Sequence, residues 1–362
     1  MFSEHDERFM RRALELAARA LNHATPNPRV GCVLVRDGNI VAEGFTQRPG
    51  EPHAEAHALA QARARGVDLK GASAYVTLEP CNHFGRTPPC TEALIASGVE
   101  QVIAAMEDPN PIVGGRGFER LRAAGIRVRV GLFERDAHEL NIGFVKRMTL
   151  GKPWVRAKIA ASLDGRTGLP NGESKWITGE TARQDGHRWR ARACAIATGS
   201  GTVRYDDPAL TVRGVETPLT LRQPLRIVFD HIGQLEASAK VLAGGALVVC
   251  GARKPIGLAS DVEIVSFPDG QGKIDLSAAL KEIASRGVNE LHLEAGARLT
   301  GPMLQQGHID ELLVYFAPKV IGSDAREMFS IPSPPKLADA LSLSLHDISR
   351  FDDDIRLIYR KD

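Results

Sequence analysis

Short apolar runs bounded by turn residues alternate with stretches that carry apolar side chains at helical spacing, along nearly the whole chain. No other feature restricts the fold as much, because strands alternating with helices form sheets that must be covered by helices. Residues 6–22 place Phe9, Met10, Ala13, Leu14, Leu16, Ala17 and Leu21 on a helical period, and TPNP (25–28) ends that helix. VGCVLV and NIVAEGF, joined by Arg36-Asp37-Gly38, read as a hairpin. Helices at 53–66 and 90–98, each closed by a glycine, frame the strand SAYVTLEP. The strand VEQVIAAM, the helix GFERLRAAG and the strand IRVRVGL follow. The pattern predicts an α/β sandwich.

A basic, polar joint, KRMTLGKP (146–153), interrupts the pattern before it restarts. WVRAKIAAS, AIATGS, LRIVFD, ALVVCG, ELHLEAG and ELLVYFAP read as strands, and TARQDGHRWRARA, LSAALKEIASRG and ARLTGPMLQQG as helices. The last stretch, SLHDISRFDDDIRLIYRKD, reads as two strands around an acidic turn. A chain of 362 residues accommodates about two domains. The expected division is 1–145, a linker at 146–152, and 153–362.

Net charge is +2, so bulk electrostatics favours neither nucleic acid nor an anionic membrane. No apolar run is long enough to span a bilayer. The start, MFSEHDERFMRR, has acidic residues and no apolar core of a signal peptide. Five cysteines (Cys32, Cys81, Cys90, Cys194 and Cys250) in a chain this long do not form a secreted disulfide framework. The expected setting is the reducing cytoplasm, where paired cysteines more often bind metal.

That expectation bears on PCNHFGRTPPC (80–90), in which two cysteines lie nine positions apart. His53-Ala54-Glu55 opens one predicted helix, Cys81 closes a strand, and Cys90 opens the next helix. At helix N-termini the free N–H groups and the dipole favour thiolate over thiol. Catalytic zinc takes three protein ligands and leaves a fourth position for water. One histidine and two cysteines fill that set, and Glu55 is left free to move a proton. An isolated H-x-E is common, and two cysteines nine apart are usually unrelated core residues. Here they occur in the order H-x-E, then P-C and C, which marks zinc-dependent base deaminases. His83 between the cysteines is a rival ligand, although residues after the first cysteine more naturally form a pocket wall. His57, one turn beyond His53, reads as a structural or supporting histidine.

The eight-residue gap between the cysteines is longer than the C-x-x-C of most base deaminases. TPNPRVGCVL, HAEAHAL, EPCNHFGRTPPC and EDPNP, in this order, resemble the deaminase half of the bifunctional riboflavin biosynthesis deaminase/reductase. The resemblance covers residues 1–145 and implies a cytidine-deaminase-like α/β/α sandwich. It implies one zinc ion per chain on His53, Cys81 and Cys90, with Glu55 as the proton shuttle. The implied reaction is hydrolytic deamination of a diamino-hydroxy-pyrimidine bearing a phosphoribosylamino group. Asn27, His83, Arg86, Asp108 and Asn110 match positions that line the family's substrate pocket. Arg86 is the natural phosphate or carbonyl contact, although it could equally be a solvated loop arginine. Where the family usually shows G-[YF]-H, this chain has Gly44-Phe45-Thr46, so a substrate contact from that histidine is not expected.

The second half has no G-x-G-x-x-G between a strand and a helix. KIAASLDGRTG, GESKWIT, TGSGTVRYDDPALTVR and LEAGARLTG, in order, resemble the reductase half of the same family. This implies a dihydrofolate-reductase-like α/β domain that uses NADPH. From the family pattern, NADP would contact Ala160, Trp176, Thr202, Asp206 and the turn Gly296, Ala297, Arg298, Leu299, Thr300, Gly301 and Pro302. A diphosphate would then sit at a helix N-terminus. Ser174, Arg190, Leu210, Arg213 and Glu294 would contact the substrate, with Arg190 and Arg213 as clamps for its 5-phosphate. Each has a plain structural alternative: Arg190 lies on a basic helix face, Trp176 could be core, and Asp206-Asp207-Pro208 could be a simple turn. The implied chemistry is hydride transfer to the sugar C1′, opening ribose to ribitol. Asp164 and Glu294 are possible proton donors, and Asp164 could instead cap a turn.

Two rival readings are a monofunctional deaminase acting on a nucleoside or an RNA base, and a binding protein that has lost catalysis. A near-neutral chain without interleaved aromatic and basic residues disfavours an RNA substrate. The four residues of the zinc constellation disfavour lost catalysis in the first half. The family is typically a homodimer or a larger homo-oligomer, with small phosphorylated pyrimidines as its partners.

Overall fold

The computed structural model describes residues 2–83, 88–111, 113–217 and 219–361. The chain divides into two compact units, one of Met1–Gly151 with Thr217–Leu221 and one of Lys152–Glu216 with Arg222–Asp362.

The first unit runs α1 (Glu4–Ala18), β1 (Gly31–Arg36), β2 (Asn39–Phe45), α2 (Ala54–Ala64), β3 (Ser73–Val76), α3 (Cys90–Ser97), β4 (Gln101–Ala104), α4 (Arg116–Ala123), β5 (Arg127–Val130), α5 (Glu134–Leu140) and α6 (Ile142–Leu150). Its sheet has the order β2-β1-β3-β4-β5. β1 pairs antiparallel with β2 and β3, and β3, β4 and β5 are parallel. Helix α1 buries Phe9, Met10, Ala13, Leu16 and Ala17, and large apolar side chains contribute about 1.5–3 kcal/mol each when buried. It starts two residues before the first expected position because Ser3 and Asp6 form a reciprocal capping box. It stops at Ala18, and turns carry the chain to His23. Helix α2 lies hard against β2: a Cβ on Gly44 would stand 2.2 Å from the Ala54 carbonyl oxygen. Only glycine permits that approach, which sets where the first turn of α2 rests.

The second unit runs β6 (Trp154–Ser162), α7 (Glu180–Arg192), β7 (Ala195–Gly199), α8 (Ser200–Asp206), β8 (Leu225–Asp230), β9 (Ala246–Cys250), β10 (Val262–Ser266), α9 (Leu276–Ser285), β11 (Glu290–Leu293), α10 (Ala297–Gln305), β12 (Glu311–Ala317), β13 (Ser344–Phe351) and β14 (Asp354–Arg360). Its sheet has the order β10-β9-β8-β7-β11-β6-β12-β14-β13. The strands from β10 to β12 are parallel, and the β13–β14 hairpin joins antiparallel to β12. The N-terminal ends of the central strands are tied by buried charge: Arg156 bonds Glu290 and Glu311, Arg192 also holds Glu290, and Arg360 also holds Glu311. The opposite, C-terminal ends of β7, β11 and β6 carry the Gly/Ser/Thr-rich turns, where open parallel sheets bind ligands.

Four elements, α5, α6, α8 and β10, went unread in the sequence. Residues 146–150, read as part of a joint, continue α6, and Gly151 closes that helix with φ of 62°. Ile142, Phe144, Val145 and Met148 carry its buried or half-buried face. The adjacent Lys146 and Arg147 masked this periodicity.

Candidate active sites

His53 is the N-cap of α2, and Cys90 is the first residue of α3. Cys81 follows the end of β3 by five residues. The His53 Nδ1 lies 3.6 Å from the Cys81 Sγ and 3.5 Å from the Cys90 Sγ. Tetrahedral zinc with ordinary Zn–N and Zn–S bonds separates these atoms by about 3.6 Å. The donor set therefore fits zinc in distance as well as in kind. Among the described residues this is the cluster of three such side chains whose ligand atoms all lie within 4.8 Å of one another. The free cysteines form no disulfide. The Cys90 thiol and His53 hold the Cys81 thiol down to about 4, while Cys81 and burial hold Cys90 well above the usual thiol range. One proton is thus shared between two sulfurs, and metal binding displaces it.

Glu55 lies one residue inside α2 and is 4% exposed. Burial, reinforced by the charge of Cys81, pushes its carboxyl up to about 7. A carboxyl near that value both accepts and returns a proton at neutral pH. His57 is bound up with structure, its Nδ1 lying 3.4 Å from the Phe45 nitrogen and 3.2 Å from the Gln47 amide. His83 is exposed. Asn27 is half-buried, and its N–H donates to the Ala24 carbonyl. The Asp108 carboxyl is raised by burial and lies within electrostatic reach of His83 and Cys81. It accepts the N–H of Asn110 at 2.9 Å. Arg86 lies outside the described residues. Thr46 is buried, and its hydroxyl accepts the Val30 N–H at 3.1 Å.

Sequence reasoning missed Glu79. Its buried carboxylate accepts four backbone N–H groups, from Asp108 (3.1 Å), Gly115 (2.9 Å), Gly117 (2.7 Å) and Phe118 (3.2 Å). It pins the segment carrying Asp108 beside the stretch after β3 that carries Cys81. Gly117 is required there, since a Cβ would stand 2.2 Å from the Pro80 carbonyl oxygen. The available signal was a glutamate directly before Pro80-Cys81 with a glycine-rich stretch, GGRG, downstream.

In the second unit Glu294 follows β11 directly. Arg190 grips its carboxylate through Nε (2.5 Å) and a terminal nitrogen (2.9 Å), and its other terminal nitrogen donates to the Thr211 carbonyl at 3.0 Å. Burial alone would raise the Glu294 carboxyl, but Arg190 outweighs it and holds the group well below the usual range. Lys158 on β6 interacts with both partners, and its ammonium is lowered by burial. The Ser174 hydroxyl donates to Asp206 at 3.1 Å. Trp176 is largely exposed under the Arg183 guanidinium. Leu210 is buried with φ of 48°. The exposed Arg213 has no side-chain hydrogen bond among the described residues, and its N–H donates to His187 Nδ1.

Gly296 caps α10, which begins at Ala297 and runs through Arg298, Leu299, Thr300, Gly301 and Pro302. Thr202, in the first turn of α8, lies against Gly296, and Leu299 lies against Gly199. Two helix N-termini therefore meet beside the β6 end that carries Ala160, an arrangement of free N–H groups suited to a diphosphate. Asp164 caps a turn: it accepts the Ser162 hydroxyl and the N–H groups of Ile321 and Gly322, which hold its carboxyl down to about 2. Neither Asp164 nor Glu294 stores a proton at neutral pH. Lys158 and His187 were missed in the sequence: Lys158 opens the KIAASLDGRTG block on an apolar strand but was given no role there, and His187 sits in a basic helix without a motif.

Residues 3–106 match the cytidine and deoxycytidylate deaminase zinc-binding region, and residues 153–357 match the RibD C-terminal domain. The riboflavin biosynthesis protein RibD of Escherichia coli is 46% identical over 97% of this chain and 98% of its own. The chain belongs to the RibD family. The RibD structure from Acinetobacter baumannii superposes with a TM-score of 0.90 at 41% identity, covering 99% of both chains. A Thermotoga maritima diaminohydroxyphosphoribosylaminopyrimidine deaminase/5-amino-6-(5-phosphoribosylamino)uracil reductase does so at 0.89 and 33%, covering 98% of both. The expected α/β class stands, with a cytidine-deaminase-like unit followed by the RibD reductase domain. The protein is a zinc-dependent deaminase and an NADPH-dependent reductase of riboflavin biosynthesis. No helix of the described residues is long and apolar enough to cross a membrane.

Proposed function

We propose that the deaminase, residues 1–145, acts on 2,5-diamino-6-(5-phosphoribosylamino)pyrimidin-4-one, and that the reductase, residues 153–362, converts the ribosyl group of the product to ribityl. Residues 146–152 join the two, the first five of them as the end of α6. The observation that carries the first half is the His53, Cys81 and Cys90 cluster at zinc spacing beside a buried Glu55. Bound zinc supplies a Lewis acid that lowers the pKa of a water. Glu55 takes a proton from the attacking water, holds it out of solvent, and passes it to the leaving amine. Asn27, His83, Arg86, Asp108 and Asn110 hold the pyrimidine and its phosphoribosyl arm, and Glu79 fixes the Asp108 segment.

Bound NADPH supplies the hydride in the second half. Ala160, Trp176, Thr202, Asp206 and Gly296–Pro302, the cap and first residues of α10, hold it. Ser174, Leu210, Arg213 and Glu294 orient the sugar, so that C1′ faces the nicotinamide with water excluded. Three of the five N–H groups of Arg190 are used within the protein, and the remaining two reach toward the phosphate that Arg213 clamps. The enzyme works in the cytoplasm as a homodimer or higher homo-oligomer, which sedimentation velocity tests.

One assay tests the whole reading. NADPH oxidation is followed with the diamino-pyrimidinone as the sole pyrimidine, before and after zinc is removed by a chelator. Oxidation that requires both the pyrimidine and zinc supports it. Oxidation of NADPH that survives metal removal at an unchanged rate overturns the order deamination, then reduction.

A further inference from the structure

His187 stands one helical turn before Arg190 on α7, on the same face. Its Nδ1 accepts the N–H of Arg213 at 3.3 Å. In a neutral imidazole the proton is then on Nε2. That nitrogen has no hydrogen-bond partner among the described residues and is not shut off from solvent. The charged groups around the ring come from each neighbouring element: Arg190 on its own helix, Arg213 on the loop, Glu294 after β11 and Lys158 on β6. Three cations against one carboxylate make an imidazolium unfavourable until an anion arrives.

We propose that His187 is a third ligand for the substrate's 5-phosphate, beside Arg190 and Arg213, and that it takes up a proton from solvent as the phosphate docks. The inference rests on the reading that this pair of arginines binds phosphate. Without ligand, burial and the two arginines hold the imidazole down to about 4, so it is neutral throughout the working range. A phosphate carries about −1.5 to −2 charge at neutral pH and offers strong acceptor oxygens. Beside it the imidazole returns toward its ordinary pKa of about 6.5. A ligand that raises a group's pKa binds with proton uptake, so this contribution to affinity is present at low pH and lost as pH rises through the value in the complex.

The test is calorimetric titration of the full chain with ribose 5-phosphate at pH 6.5, in buffers of different ionisation enthalpy, for wild type, His187→Gln and Arg213→Ala. Gln keeps a donor but cannot charge. Wild type is expected to take up about half a proton more than His187→Gln, the half-titration of a group of pKa near 6.5 at that pH. His187→Gln should weaken ribose 5-phosphate about tenfold, with NADPH affinity unchanged as the check on folding. Arg213→Ala should weaken the sugar phosphate at least as much. If Arg213→Ala loses affinity while His187→Gln matches wild type in affinity and proton uptake, the role of His187 is wrong and the phosphate site stands. If neither variant loses affinity, the phosphate reading fails, and this inference with it.

Discussion

Replacing Glu79 by Gln keeps the shape of the side chain and removes its charge and one acceptor. In the structure each carboxylate oxygen takes two N–H groups, Oε1 from Gly117 and Phe118 and Oε2 from Asp108 and Gly115. An amide nitrogen in either place faces two donors with a donor. Two charge-assisted bonds are then lost, each contributing about 1.5–3 kcal/mol, so the variant should lose about 3–6 kcal/mol of stability in the first unit. For a unit of this size that lowers its melting transition by roughly 10 °C. The released segment carries Asp108 and Asn110, and its anchor is two residues from Cys81. Deaminase kcat/KM should therefore fall at least a hundredfold, while reduction of pre-deaminated substrate stays within about twofold. Scanning calorimetry of the full chain and the two separate assays measure these. A variant that melts within about 1 °C of wild type and deaminates normally would refute the claim that this carboxylate holds the site together.

Glu55→Gln should abolish deamination, retain zinc by elemental analysis, and leave reduction intact, since the residue moves a proton without ligating; substantial deamination by this variant rejects the assignment. Zinc loading of metal-free protein in weak buffer should release protons near pH 7, because the proton shared by Cys81 and Cys90 must leave; a pH-stat trace with no release counts against thiolate ligation. Arg213→Ala should raise the reductase KM for the pyrimidine roughly tenfold to hundredfold with little change in NADPH affinity, and Arg213→Lys should recover only part. Arg190→Ala should in addition leave the buried Glu294 without the guanidinium that grips it, so kcat should fall along with KM; a pure KM effect would mean the Arg190–Glu294 pair is dispensable.

Alternation of apolar runs with helical periods was enough to place most strands and helices, because burial imposes those periods wherever one face meets a core. The zinc constellation was readable for a similar reason: few residue types bind the metal, and His53 and Cys90 each sit where a helix begins, with Cys81 on the stretch that leads from β3 to α3. What failed locally failed where charge covered the pattern, as at Lys146 and Arg147 on α6. Glu79, Lys158 and His187 were out of reach for a different reason. Their roles consist of what folding brings beside them: four N–H groups from residues 29 to 39 positions away for Glu79, the Arg190–Glu294 pair for Lys158, and the Arg213 backbone for His187. Ligand identity is chemistry that a side chain carries in any setting, so the chain alone declares it. The charge state of a buried lysine, glutamate or histidine is set by desolvation and by neighbours distant in sequence, and only the assembled tertiary structure supplies those.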